Sequence, residues 1–193
     1  MKDSGHAHSE VLLGILKGRE ERAFVQHMFL RLVHGVNAAV QIALNVPGVP
    51  KRICGDDEAI MKARDLLIAS LGCTPAFSSS LRNGAGVAVL LAFGGSDPVS
   101  VKTEAVRIED GLRWGRALDI DVLTEGGAIS RERLGIPHRA CIICGNDAKE
   151  CAKLGAHPYA ELRERIAMLV REASQSPEEF SPPLSSRSDK SSR

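Results

Sequence analysis

Two aspartates separated by one residue give the sequence its clearest chemical signal. Asp119 and Asp121 alternate with three apolar residues, Leu118, Ile120 and Val122. Because side chains alternate between the two faces of a strand, this pattern predicts a strand with both carboxylates on one face. Neighbouring carboxylates repel each other, and a hard cation such as Mg²⁺ that also holds phosphate groups relieves that repulsion. An edge strand with two solvated aspartates fits the same pattern.

Three arginines lie close to the aspartates along the chain. Arg116 precedes them, and Arg131 and Arg139 follow them. A guanidinium group donates paired hydrogen bonds to phosphate oxygens and stays charged at physiological pH, so these residues are candidates for phosphate binding. The alternative is that each arginine pairs with a nearby carboxylate. The acids available for that pairing are Glu109, Asp110 and Glu132.

Soft metal ligands are concentrated further along the chain. Cys141 and Cys144 have the CxxC spacing of a zinc knuckle, and Cys151 and His157 follow within the next thirteen residues. The four side chains predict a structural zinc site. Cysteines that are merely buried as small apolar residues are the alternative, because the gap between Cys144 and Cys151 is not that of a standard zinc ribbon.

Composition limits the class of protein. The 193 residues include 44% hydrophobic and 25% charged residues, which suits one soluble domain with a substantial core. A net charge of +1 provides no field that would attract nucleic acid or a membrane surface. No apolar stretch approaches the roughly 20 residues of a membrane span. Five cysteines, with no apolar leader, predict reduced thiols and a cytoplasmic location. Cys54 and Cys73 are expected to be packing residues.

Hydrophobic periodicity predicts an α/β (α+β) domain over residues 1–173, with a mixed sheet flanked by helices. Gly18 and Gly35 are expected to interrupt or end one or two initial helices. Residues 174–193 are rich in serine, proline and charge, and predict a disordered tail. The predicted strands are 38–46, 87–93 and the aspartate strand, and the predicted helices include 57–71, one opened by Asp97 and Pro98, 147–154 and 158–173.

The turn Gly94-Gly95-Ser96 suggests a nucleotidyltransferase-like arrangement. In the polymerase-beta-like superfamily, a Gly-Ser pair at the start of a helix contacts a triphosphate, and a later D-x-D binds magnesium. Ser96 and Asp119 are further apart in this chain than that superfamily's usual spacing. A simple tight turn is therefore the alternative for Gly95 and Ser96.

Six short motifs occur in a fixed order. They are L-N-V-P-G from residue 44, G-R-A-L-D-I-D-V from 115, S-R-E-R-L-G from 130, R-A-C-I-I-C from 139, A-K-E-C from 148 and H-P-Y-A-E-L from 157. Their order and spacing resemble those of the citrate lyase holo-acyl-carrier-protein synthase family. The resemblance extends from Asn45 to Leu162.

The resemblance implies a nucleotidyltransferase reaction. The family transfers the prosthetic group of triphosphoribosyl-dephospho-CoA to a serine of the citrate lyase acyl carrier (gamma) subunit and releases diphosphate. It implies Mg²⁺ at Asp119 and Asp121, with Arg116 as a third catalytic residue. The implied substrate-binding residues are Arg116, Arg131, Arg139 and Asn45. Two other hypotheses are a magnesium-dependent nucleotidyltransferase that uses an ordinary nucleoside triphosphate and a zinc-stabilised binding module without catalysis.

Overall fold

The computed structural model describes residues 4–175, which form a five-stranded sheet with five α-helices. The helices are α1 (Ser4–Leu32), α2 (Asp56–Leu71), α3 (Pro98–Gly111), α4 (Ala148–Leu154) and α5 (Tyr159–Gln175). The strands are β1 (Val36–Leu44), β2 (Phe77–Asn83), β3 (Gly86–Gly94), β4 (Leu118–Thr124) and β5 (Gly127–Ala128). Two short 3₁₀ helices cover Gly115–Ala117 and Glu132–Leu134. Within residues 4–175, no helix is both long and apolar enough to cross a bilayer.

The strands lie in the order β2-β3-β1-β4-β5. The predicted α/β class and the sheet flanked by helices are confirmed. The sheet is antiparallel rather than mixed, because every neighbouring pair is antiparallel. β3 and β4 run in the same direction, but β1 lies between them. The helical connection α3 therefore joins two strands that are not neighbours.

The sheet separates two apolar layers. On one face, α2, α3 and α5 cover the main core, which contains the fully buried Ile42, Leu91 and Ile120. Helix α1 covers part of the other face, where a smaller core includes Phe29 and Leu90. Burying one such side chain contributes about 1.5 to 3 kcal/mol to the stability of the fold. A one-residue shift of β4 would expose its apolar side chains to solvent, so the register of this strand is strongly favoured.

Helix α1 passes through Gly18 without a break, contrary to the predicted interruption. A Cβ atom on Gly18 would lie 2.3 Å from Asn83 Oδ1. A Cβ atom on Gly84 would lie 2.2 Å from Gly14 O. These glycines allow α1 to cross directly over the turn between β2 and β3, and Asn83 Nδ2 donates to Gly18 O at 3.1 Å. Gly18 is thus a point of close contact, whereas Gly35 does follow the end of the helix, with φ +80°.

Strand β2 was not predicted, because three consecutive serines, Ser78 to Ser80, hide its pattern. β2 is an edge strand whose residues are exposed or half-buried, so it needs no apolar run. β1 begins and ends two residues earlier than predicted. The cap of α3 is confirmed, because the Asp97 side chain accepts from the backbone N–H groups of Val99 and Ser100. Helix α5 continues to Gln175, and the rest of the predicted tail, 176–193, lies outside the described residues.

Candidate active site

Asp119 and Asp121 lie on one face of β4, as their alternation with apolar residues predicts. β4 pairs with β1, the central strand, and the register places Asp119 opposite Ala43 and Asp121 opposite Gln41. The two aspartates line a cavity of about 450 Å³ between α1 and the sheet, which we call the α1 cavity. Its charged lining residues are Arg19, Arg22, Lys51, Asp119 and Asp121.

The carboxylate pair carries unrelieved repulsion. Burial, and after it the charge of Asp119, raises the pKa of Asp121 from 3.8 to about 6. The ammonium group of Lys102 lowers the pKa of Asp121 but does not cancel these effects. Two half-buried carboxylates with this electrostatic imbalance fit a hard divalent cation such as Mg²⁺, which prefers oxygen ligands.

In magnesium-free buffer, we expect the free energy of unfolding to fall as pH rises from about 4 to about 6, because the half-buried carboxyl group of Asp121 resists ionisation in the folded protein. The folded protein, with a pKa of about 6 at Asp121, still holds a proton that the unfolded chain has lost in this range. Above this range both states are ionised, and the full destabilisation, about 1 to 3 kcal/mol, is present. Asp121→Asn should therefore raise the melting temperature more at pH 7.5 than at pH 5. An equal difference at both pH values contradicts this prediction.

Side chains cover the outer edge of β4 next to the aspartates. Ile120 N–H donates to Glu109 Oε1 at 2.7 Å, and Lys102 Nζ donates to Ile120 O at 2.7 Å. Glu109 and Lys102 both come from α3 and are buried. Arg139 Nη1 donates to Leu118 O at 2.8 Å. These bonds satisfy the edge groups of β4 and fix the strand that carries the carboxylates.

Glu109 also binds two of the arginines that were predicted to bind phosphate. Arg131 Nη2 donates to Glu109 Oε2 at 2.9 Å and to Asp110 Oδ1 at 2.8 Å. Arg139 Nη2 donates to Glu109 Oε1 and lies 3.7 Å from Asp119 Oδ1. Pairing with nearby acids, the alternative left open by the sequence, is therefore present for Arg131 and Arg139. Both line a cavity that Asp119 and Asp121 also line.

Arg116 differs from these two arginines. Its Nη2 donates to the backbone carbonyl of Ala140, and among the described residues it has no carboxylate at ion-pair distance. Burial, and then the neighbouring charge of Arg139, lower the pKa of Arg116. A cation held close to another cation favours an anionic ligand, and Arg116 is the most available of the three predicted arginines.

Gly95 and Ser96 lie away from the aspartates. Gly94, which precedes them, pairs with Val36 at the start of β1, whereas Asp119 pairs with Ala43 near the end of β1. Seven residues of a strand span about 23 Å. The register places the Gly-Gly-Ser turn at the other end of β1 from Asp119, which favours the alternative of a simple tight turn.

The predicted zinc ligands come together in the fold. Cys141, Cys144, Cys151 and His157 place their ligand atoms within 4.8 Å of one another. Cys144 Sγ lies 3.5 Å from Cys151 Sγ and 3.3 Å from His157 Nε2. Ligand atoms of a tetrahedral zinc ion, with bonds of about 2.0 to 2.3 Å, lie roughly 3.3 to 3.8 Å apart. The donor set and its spacing therefore fit zinc.

Local turns bring these four ligands together. Gly145, with φ +78°, reverses the chain directly after the CxxC pair. The Asp147 side chain then caps α4, which carries Cys151 on its second turn. Gly155 ends α4 with φ +58°, so that His157 returns toward the cysteines. We call this segment, residues 139–157, the knuckle.

A sequence model of the CitX family, the apo-citrate lyase phosphoribosyl-dephospho-CoA transferases, matches residues 11–173. The match covers β4, the arginines and the knuckle. The chain belongs to this family. Membership confirms the resemblance inferred from the six motifs and supports the expected transferase class.

Individual members of the CitX family match most of the chain. A probable apo-citrate lyase phosphoribosyl-dephospho-CoA transferase of Streptococcus pyogenes serotype M18 is 29% identical over 171 residues, which cover 82% of this chain and 84% of that protein. The apo-citrate lyase phosphoribosyl-dephospho-CoA transferase of Escherichia coli O139:H28 is 28% identical over 172 residues, 86% of this chain and 91% of that protein. Protein CitXG of Leuconostoc mesenteroides subsp. cremoris is 39% identical over 72 residues, 36% of this chain but 15% of that protein.

Three cavities meet at the CitX-family motifs. Besides the α1 cavity, an edge cavity of about 440 Å³ lies beside β4 and is lined by Lys102, Arg139 and both aspartates. A knuckle cavity of about 530 Å³ lies between the knuckle and the start of α5. Its lining includes Pro47, Arg116, Ile142, Tyr159, Leu162 and Ile166. Asn45, which directly follows β1, lines all three cavities.

Several charged residues around this CitX-family site were not predicted from the sequence. Lys102 and Glu109 lie seven residues apart, on the face of α3 that buries Ala105. Charged residues on an apolar helix face were the available signal for them. Arg19 and Arg22 gave no such signal, because charged residues are frequent throughout that part of α1.

Proposed function

We propose that the protein transfers the phosphoribosyl-dephospho-CoA group of triphosphoribosyl-dephospho-CoA to a serine of the citrate lyase acyl carrier subunit and releases diphosphate. One observation carries the proposal. In a chain of the CitX family, Asp119 and Asp121 share a strand face between two cavities, and Asn45 connects those cavities to a third. A carboxylate pair with open space on two sides suits a reaction in which a donor and an acceptor approach the same phosphorus atom.

The reaction forms a bond between the serine oxygen and the α-phosphorus, breaks the bond from that phosphorus to the departing diphosphate, and frees the serine proton. Asp119 and Asp121 would hold Mg²⁺, which when bound supplies charge stabilisation to the phosphates. Arg116 and Arg139 would add positive charge beside the reacting phosphate. A carboxylate of the pair is the proposed acceptor of the serine proton, because both carboxylates line the cavities in which the donor and the acceptor would meet.

The knuckle cavity is the proposed site of the dephospho-CoA portion. It is the largest of the three cavities at about 530 Å³ and is lined by apolar side chains, including Ile142, Tyr159 and Leu162. A nucleotide base and a pantetheine chain need such a surface more than a charged one. Arg116 and Arg139 also line this cavity, which places cations on the side nearest the aspartates.

Zinc at the knuckle would be structural in this proposal. The cluster of Cys141, Cys144, Cys151 and His157 supplies four protein ligands, which leaves no open coordination position for substrate. Such a site would hold the wall of the knuckle cavity, since Cys141, Cys151 and His157 also line it. Ligand thiols must stay reduced, and we infer a cytoplasmic location on that basis.

The proposed function is tested by transfer in a purified system. We expect the protein, incubated with Mg²⁺, triphosphoribosyl-dephospho-CoA and the apo carrier subunit, to increase the carrier's mass by one prosthetic group for each diphosphate released. A carrier in which the acceptor serine is replaced by alanine is the matched control and should remain unmodified. An unchanged carrier, together with efficient consumption of an ordinary nucleoside triphosphate, would favour the generic nucleotidyltransferase hypothesis instead.

A further inference from the structure

The α1 cavity contains a set of cations that the family motifs do not include. Arg19 and Arg22 come from α1, and Lys51 comes from the segment between β1 and α2. Together they line the same cavity as Asp119 and Asp121. The three cations therefore share this cavity with the residues that would hold Mg²⁺.

Within the described part of the chain, none of these cations has a carboxylate at ion-pair distance, although the charge of Asp119 acts to raise the pKa of Arg22. Arg22 Nη2 donates to the backbone carbonyl of Ala85 at 2.8 Å, and Lys51 Nζ donates to that of Val46 at 2.7 Å. Burial, and then the charge of Arg19, lower the pKa values of both Arg22 and Lys51. The arrangement concentrates positive charge in a confined space, which costs free energy unless an anion enters it.

Arg22 provides an independent indication of a ligand. The residue is only 8% exposed, and its Nε atom is buried without a hydrogen-bond partner among the described residues. A buried guanidinium N–H without an acceptor is rare, because it has lost its hydrogen bond to water and gained none in the protein. A phosphate oxygen at this position would accept from it.

The charge of the cavity indicates the class of anion. Three cations and two carboxylates line it, which leaves one positive charge, and a divalent cation held by the carboxylates would raise the total to about three. Two linked phosphate groups carry about three to four negative charges. The Gly95–Ser96 turn is too distant to neutralise them, because it lies at the opposite end of β1.

We propose that Arg19, Arg22 and Lys51 form a polyphosphate subsite that binds the β- and γ-phosphates of the donor, the part released as diphosphate. This assignment rests on the proposed function for the identity of the donor. Binding energy at this subsite would orient the triphosphate so that the α-phosphorus lies beside Asp119 and Asp121, with the leaving group directed toward α1.

The test uses inorganic diphosphate with Mg²⁺, without coenzyme or carrier. We expect the intact protein to bind it, and Arg22→Gln and Lys51→Gln each to weaken binding about tenfold or more, since each removes a charge-assisted hydrogen bond. Arg19→Gln should have a smaller effect, because Arg19 is more exposed. Lys17→Gln is the matched control: it removes a cation from the same helix outside the cavity lining and should leave binding unchanged.

The outcomes separate this proposal from the proposed function. Diphosphate binding that is lost in the variants, in a protein that fails to modify the carrier, supports the subsite and overturns the donor assignment. Normal binding by Arg22→Gln and Lys51→Gln, or no binding by the intact protein at millimolar diphosphate, overturns the subsite even if carrier transfer occurs. Arg22 also attaches α1 to the turn between β2 and β3, so melting curves accompany each variant. If Arg22→Gln unfolds, the result for Lys51→Gln decides between the outcomes.

Discussion

Asp119→Asn and Asp121→Asn should each reduce the rate of carrier modification by about a hundredfold or more while the protein stays folded. Each substitution removes a negative oxygen ligand from a proposed Mg²⁺ site, and losing such a contribution to the transition state typically costs several kcal/mol. Neither change should disturb β4, because the strand is fixed by backbone pairing with β1 and by the bonds of Ile120 to Glu109 and Lys102. The measurement is diphosphate release at saturating Mg²⁺.

A matched control separates the loss of the site from the loss of an aspartate in general. Asp65→Asn changes an exposed aspartate on α2 that pairs with Arg64, away from the three cavities, and should retain the normal rate. Melting curves of all variants show whether the fold is intact. Rates near normal in both Asp119→Asn and Asp121→Asn would refute the assignment of the carboxylate pair to catalysis. A large drop in melting temperature with the lost activity would instead indicate a structural role.

Purified protein should contain about one zinc ion per chain, and removing that zinc should strongly destabilise it. The ligand atoms of Cys141, Cys144, Cys151 and His157 lie within 4.8 Å of one another. Without zinc, no metal–ligand bonds hold these four side chains together, and the free energy of those bonds is lost from the folded state. A loss of about 3 kcal/mol would lower the melting temperature by roughly 6 to 12 °C in a domain of this size. Transfer activity should fall with it, because the knuckle forms a wall of the knuckle cavity.

Elemental analysis of protein prepared without chelator measures the zinc content directly. Cys144→Ser and Cys151→Ser should lose zinc and melt at a lower temperature. Cys54→Ser and Cys73→Ser, which change cysteines outside the cluster, should keep zinc. If the wild type contains no zinc and melts like Cys144→Ser, the three cysteines are buried as small apolar residues, which is the alternative to the zinc site.

The sequence predicted those parts of the site that depend on short-range pattern. The alternation of Asp119 and Asp121 with Leu118, Ile120 and Val122 correctly predicted a strand with one apolar and one acidic face. The spacing of the knuckle residues correctly predicted that three cysteines and a histidine come together. The fold class was also correct, but the sheet is antiparallel, since strand order cannot be read from the pattern of any single strand.

Long-range pairing explains the errors and omissions. A glycine such as Gly18 usually indicates an interruption of a helix. Here it is required instead by the contact of α1 with Asn83, sixty-five residues later in the chain. Likewise, Arg131 and Arg139 have the chemistry of phosphate ligands, yet which carboxylate they contact depends on the packing of α3 against β4. The structure gives both of them Glu109.

By itself, the sequence determined the family, the carboxylate pair, the cluster of three cysteines and one histidine, and the helix cap at Asp97. Each of these depends on residue identity and on spacing within one strand, turn or short segment, where backbone geometry alone fixes which side chains are neighbours. Only the tertiary structure decided that the Gly-Gly-Ser turn lies far from the aspartates and that Arg22 lies near them. Those separations follow from the register of β1 with its neighbours and from the crossing of α1 over the sheet, and both are set by burial of apolar surface between segments distant in the chain.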